Sequence, residues 1–306
     1  MYEKWKGVHT RCAFNMIQEL IPLTRPRTLA ATLGPTILGA AFSYYAFGAA
    51  QGTGLAIFHT MLIFLAVVTA QIVANLWNEY KDFKSGLDAG QKVGNAGSIT
   101  RGVITPELII TMIKVLMFVP IIIGLYLSAT ITWYYIPVGF LCILISFLYS
   151  GGPKPISRTP FGEISSGIAM GFAIVLITGY AWIRELSLAL LIPAIPSTLL
   201  VGSIMLTNNI RDIRNDESHG RHTLPIVLGR ERALSLMSIS YIFNFIWIIA
   251  WIIVGHMTWF ALLAFLAAPL AFKTIHTLST NTDEFQLDKA MGTTAGAAMI
   301  LSLIHI

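Results

Sequence analysis

Long apolar runs broken by short polar stretches recur along the whole chain, and the length of those runs decides what they are. A hydrocarbon core of roughly 30 Å needs about 20 apolar residues in a helix to cross it. By that measure nine stretches qualify: Thr28–Phe47, Leu55–Asn78, Glu107–Leu127, Thr132–Tyr149, Gly162–Ile183, Leu186–Asn209, Ala233–Val254, Met257–Lys273 and Leu287–Ile306. The pattern predicts an all-α membrane protein, with about nine transmembrane helices around a central cavity. Before the first run, Met1–Thr24 alternates charged and apolar residues (Lys4, Trp5, Lys6, Arg11, Phe14, Ile17). That is the pattern of an amphipathic helix lying in the membrane interface, not of a cleaved signal peptide.

The basic residues test this count. Lys4, Lys6, Arg11, Arg25 and Arg27 precede the first run, and Lys81, Lys84, Lys92 and Arg101 follow the second. Lys154 and Arg158 follow the fourth, Arg211, Arg214, Arg221, Arg230 and Arg232 follow the sixth, and Lys273 and Lys289 flank the last turn-around. The intervening loops, 48–54, 128–131, 184–185 and 255–256, hold only Arg184. Basic loops on alternate sides are the positive-inside signature. They put residues 1–27 and the two long polar loops in the cytoplasm, in one polytopic domain spanning 1–306. Composition agrees: 55% of residues are hydrophobic and 11% charged, with a mean hydropathy of +0.71, against about 25% charged in a soluble domain. A net charge of +5 in such a chain records topology and anionic lipid rather than nucleic acid. Cys12 and Cys142 lie far apart in no metal-type spacing. No obligate protein partner is evident.

Two polar constellations interrupt the pattern. Asn75, Asn78 and Asp82 are three and four apart and share a helix face, with Asp88 just past a Ser85-Gly86 helix stop. Asn208, Asp212 and Asp216 are four and four apart at the end of the sixth run. The two corresponding positions suggest two related halves. One such pattern is ordinary for a capped, solvated helix end. Two on the same side would repel each other unless a cation sits between them. Hard carboxylate and amide oxygens suit Mg²⁺, which leaves coordination places for phosphate oxygens. Nearby Arg and Lys would take the remaining phosphate charge. An acidic pair with a basic collar is the layout for a metal-bridged diphosphate.

At these residues the chain resembles the UbiA-type intramembrane aromatic prenyltransferases. Asn78-x-x-x-Asp82 with Asp88, and Asp212-x-x-x-Asp216, are similar to that family's two aspartate-rich motifs, and Arg25-Pro26-Arg27-Thr28-Leu29 looks like its approach to the first helix. Within the family the likeness is to the 1,4-dihydroxy-2-naphthoate polyprenyltransferase branch of menaquinone synthesis. It rests on the six-residue step from Asp82 to Asp88, on Tyr149-Ser150-Gly151-Gly152-Pro153 followed by Gly162-Glu163, and on Thr223-Leu224-Pro225. Glu79 stands where the family usually has Asp, and Arg221 where Lys is common.

The resemblance implies transfer of a prenyl chain from polyprenyl diphosphate to an aromatic acid, with Mg²⁺ as cofactor. It assigns Asn78, Asp82, Asp88, Asp212 and Asp216 to the metal and its diphosphate, with Asp82, Asp212 and Tyr149 at the catalytic centre. Asn75, Asn208, Asn209, Arg211, Lys154, Lys114, Arg25 and Glu163 would bind substrate. Three of these carry a second reading from their position alone. Lys114 is placed to snorkel to the interface, Tyr149 to join an aromatic belt, and Glu163 to complement a helix dipole. Asp283, Glu284 and Asp288 read as solvated loop charges. The rival class is a secondary transporter, but that class carries its polar residues at the midplane, whereas here they gather at one face. The 4-hydroxybenzoate, homogentisate and tetrapyrrole acceptors are the rivals within the enzyme class.

Overall fold

The computed structural model describes residues 20–87 and 97–304, and among them it is helical with no strand. After a short turn at Pro26–Leu29, the chain forms α1 (Ala30–Phe47), α2 (Thr53–Ser85), α3 (Pro106–Thr130), α4 (Tyr135–Ser150) and α5 (Gly162–Ile183). Then come α6 (Leu188–Arg211), the short α7 (Ile213–Ser218) and α8 (Leu224–Leu228), and finally α9 (Arg230–Val254), α10 (Trp259–Thr280) and α11 (Glu284–Ile304). The N-terminal amphipathic segment lies outside the described residues as far as residue 19, and so does Asp88.

Each predicted run is helical, and six helices are both long and apolar enough to cross a membrane: α2, α3, α5, α6, α9 and α10. The other three expected crossings fall short of this measure, for two physical reasons. Helix α4 has 16 residues, about 24 Å at the usual rise, which is short of the hydrocarbon thickness. Helices α1 and α11 are long enough, but they pack inside the bundle, α1 against α5 and α11, and α11 against α6 and α10. An internal helix needs small side chains rather than apolar ones, and both are rich in Ala, Gly and Thr. The outer helices do the reverse. Phe118, Ile122 and Leu125 on α3, and Ile239, Ile242, Ile246 and Ile253 on α9, are exposed, a surface that only lipid can cover at low cost.

Local sequence sets the helix ends that matter. Helix α2 continues two turns past the apolar span's end at Asn78 and stops at the predicted Ser85-Gly86, where Gly86 takes φ +76°, so Asn78 and Asp82 both lie on the helix. Pro106 begins α3, with the Thr105 hydroxyl accepting from the Leu108 N–H at 3.3 Å. Helix α5 crosses α6 closely because a Cβ at Gly167 or Gly171 would lie 2.6 Å from α6 backbone. Helices α1 to α6 leave a space between them, and Ile63, Ile123, Leu127, Tyr135 and Ala181 pack together at its apolar side.

Candidate active site

The space is a cavity of about 290 Å³ with unlike ends. Ile63, Val67, Met117, Ile143 and Ile177 line its apolar depth, and Arg25, Asn75, Asn78, Tyr149, Asn208, Asn209 and Arg221 line its polar mouth. A site of this shape suits an anionic head joined to a hydrocarbon tail.

The mouth is assembled around the end of α2. Gln71 and Asn75 donate to the Thr28 and Thr24 carbonyls at 2.8 and 3.0 Å, fixing the approach to α1, where Arg25 adopts φ +51°. Asn78 Oδ1 accepts from Ser150 at 2.9 Å, and Trp77 donates to the Phe147 carbonyl at 3.0 Å. These bonds dock α4 onto α2 and explain the glycine after Ser150. A Cβ at Gly151 would lie 2.8 Å from the Phe147 oxygen and 3.0 Å from Trp77 Nε1. Tyr149 points inward, its hydroxyl 3.2 Å from Met205 Sδ, so it lines the cavity rather than joining an interfacial belt.

The two acidic clusters do face each other, and the cation between them is Arg221. Its Nη2 lies 2.6 Å from Asp82 Oδ1 and its Nη1 3.2 Å from Asp216 Oδ1. Burial pushes the Asp216 carboxyl up to about 7 against the pull of Arg221, and the Asp212 and Asp82 charges add to the rise. Asp212 is held differently. Arg211 grips it with Nε and Nη2, both at 2.7 Å, while donating to Asn208 Oδ1 and Asp288 Oδ1 at 2.8 Å. Asp288 is therefore a partner inside this network, which corrects its reading as a solvated loop charge. Asn209 donates to Glu163 Oε1 at 2.8 Å, and the buried Oε2 of Glu163 has no partner.

Not all expected residues converge. Lys114 is exposed on α3 and Lys154 on the loop after α4, and neither lines the cavity. Glu79, one residue after Asn78, is buried and accepts from the Gly97 and Ser98 N–H groups at 2.9 and 2.8 Å. It pins the loop after α2 instead of facing the cavity. Sequence reading missed the bridging position of Arg221, the Asp288 contact and the Glu79 clasp. Only the pairing of unlike charges across the chain could have signalled the first two.

Among the described residues no three His, Cys, Asp or Glu side chains form a metal cluster. Mg²⁺ does not need one, since it usually takes one or two carboxylates and completes its shell with water and substrate phosphate. Asp82 and Asp216 already converge on one cationic group, and their hard oxygens fit that ion.

The chain is similar to known proteins along most of its length. A 1,4-dihydroxy-2-naphthoate octaprenyltransferase of Bacillus subtilis (strain 168) is 36% identical over 288 residues, covering 92% of this chain and 88% of its own. A UbiA homolog from Aeropyrum pernix K1 superposes with a TM-score of 0.67 at 17% identity, covering 90% of this chain and 94% of that one. One from Archaeoglobus fulgidus, bound to GPP and Mg²⁺, does so at 0.61 and 16%, covering 94% and 99%. The pattern of the UbiA prenyltransferase family matches residues 33–303. The chain thus belongs to the UbiA prenyltransferase family and is a membrane-embedded prenyltransferase.

Proposed function

We propose that the protein transfers a polyprenyl group from polyprenyl diphosphate to 1,4-dihydroxy-2-naphthoate with loss of CO2, giving demethylmenaquinol, and that it depends on Mg²⁺. The observation that carries the reading is the two-ended cavity, with an apolar depth and, at its mouth, the Arg221 guanidinium that joins the facing carboxylates Asp82 and Asp216. The relative in Bacillus subtilis and the sequence resemblance to that branch of the family supply the acceptor. Asn78, Asp82, Asp212 and Asp216, with Asp88 from the adjoining loop, hold the metal and its diphosphate. When bound, Mg²⁺ supplies Lewis-acid stabilisation of the departing diphosphate.

The chain's own residues do the rest. Arg25 lines the mouth and offers positive charge to the leaving group. The apolar lining shields the allylic cation from water until the ring attacks. Asn209 and Tyr149 line the cavity, and Glu163, which does not line it, accepts from Asn209 and holds it in place. The allylic C–O bond breaks first, its electron pair leaving with the diphosphate, and the ring carbon bearing the carboxylate then forms the new C–C bond to the cation. The C–COO⁻ bond then breaks, CO2 departs, and its electron pair restores the aromatic ring. No proton need leave that carbon.

The two related halves, nine crossings, a cytoplasmic mouth and a bacterial plasma membrane complete the proposal, supported by the alternation of basic loops. Membranes given a prenyl diphosphate, Mg²⁺ and carboxyl-labelled dihydroxynaphthoate should release labelled CO2 in step with prenyl transfer. A product that keeps its carboxyl group, or turnover only with 4-hydroxybenzoate or homogentisate, would overturn the acceptor.

A further inference from the structure

We infer that Arg221 is a resident counter-ion, which bridges Asp82 and Asp216 in the metal-free protein and must leave those oxygens when a divalent cation binds. Four observations meet at this residue. Its two terminal nitrogens each engage a different carboxylate, 2.6 and 3.2 Å away, on helices α2 and α7. Asp82 and Asp216 lie 139 and 5 positions from it in sequence, so a single side chain holds one acidic cluster against the other. A neighbouring cation, Arg211, is already committed to Asp212 and Asp288. Finally, Arg221 lines the cavity, and its buried Nε has no partner.

The consequence follows from charge and space. Two buried carboxylates of neighbouring helices repel, and one guanidinium offsets half of their combined charge. A dication offsets all of it, and it draws on the same two carboxylates that the guanidinium holds. The two cations also repel each other at that separation. Binding is therefore an exchange, and the helices stay assembled before and after it. Gly220, at φ +67°, directly precedes Arg221 in the turn, and an Arg side chain is long enough to swing toward the mouth. The diphosphate would receive the displaced charge there; this last point rests on the prenyltransferase reading, whereas the exchange itself does not.

The test uses full-length protein in detergent with Mn²⁺ alone, no substrate present, and follows free Mn²⁺ by electron paramagnetic resonance. Arg221→Gln should lower the metal-free Tm by several degrees and bind Mn²⁺ about tenfold more tightly than the wild type. Arg221→Lys, which cannot span both carboxylates, should fall between them. If the Gln variant does not fold, phenylglyoxal labelling of wild-type Arg221, read by mass spectrometry, should speed up when Mn²⁺ is added. Equal or weaker Mn²⁺ binding by the variants, or labelling that Mn²⁺ slows or leaves unchanged, overturns the exchange. Absence of prenyl transfer by wild-type protein would instead strike the functional reading and leave the Mn²⁺ result standing.

Discussion

Glu79 offers the sharpest test of how the mouth is built. Its carboxylate is 1% exposed and accepts from two backbone N–H groups of the loop after α2, at 2.9 and 2.8 Å. Glu79→Ala withdraws that acceptor from both. A buried backbone donor left without its partner costs about 1–3 kcal/mol, so the loop should lose about 2–6 kcal/mol of protection. At about 1.4 kcal/mol per factor of ten, the lower bound is roughly a 30-fold fall in amide protection. Glu79→Gln keeps an acceptor of the same reach but removes its charge. Bonds to charged groups are worth about twice neutral ones, so it should lose about half as much. Hydrogen–deuterium exchange of peptides spanning 97–104, in detergent, reads this directly. Unchanged protection in the Ala variant would refute the clasp. A large loss of Mg²⁺ affinity with intact loop protection would make Glu79 a metal ligand.

The other expectations are briefer. Asp82→Ala and Asp212→Ala should each lower the rate about 10²- to 10³-fold, the usual cost of one electrostatic stabiliser. Lys114→Ala, on the exposed face of α3, should keep near-full activity; equal losses in all three would undo the site. The Asp216 carboxyl, raised to about 7 in the fold from about 3.9 unfolded, contributes stability to the metal-free protein that is fully present only below about pH 4. That stability should be lost as pH rises through about 7. The metal-free Tm should therefore fall across that window in the wild type and not in Asp216→Asn; a fall of equal size in the variant would refute the assignment to Asp216, which faces Asp82, Asp212, Arg211 and Arg221. A cysteine at Gly52 should be labelled from outside the cell and one at Gly220 should not, and outside labelling of Gly220 would reverse the orientation.

The helices and the faces they present were legible in the sequence, because both follow from local rules. A run of apolar residues must close its backbone hydrogen bonds within itself in lipid, and residues four apart share a side of a helix whatever surrounds it. That is why Asn78 and Asp82 could be paired from their spacing alone, and why Gly86 marked the end of α2, whereas Asp212 falls at the break between α6 and α7. Contacts between distant positions have no such local trace. Arg221, which joins the acidic clusters, reaches Asp82 across 139 positions. Arg211 reaches Asp288 across 77, turning a charge that looked solvated into part of the site. Periodicity placed Lys114 within a helix, but only packing decided that it faces away from the cavity. Hydropathy alone made α1 and α11 look like the other spans. Their place inside the bundle, where small residues permit close approach, is a property of the neighbours they pack against, and the tertiary structure alone supplies those neighbours.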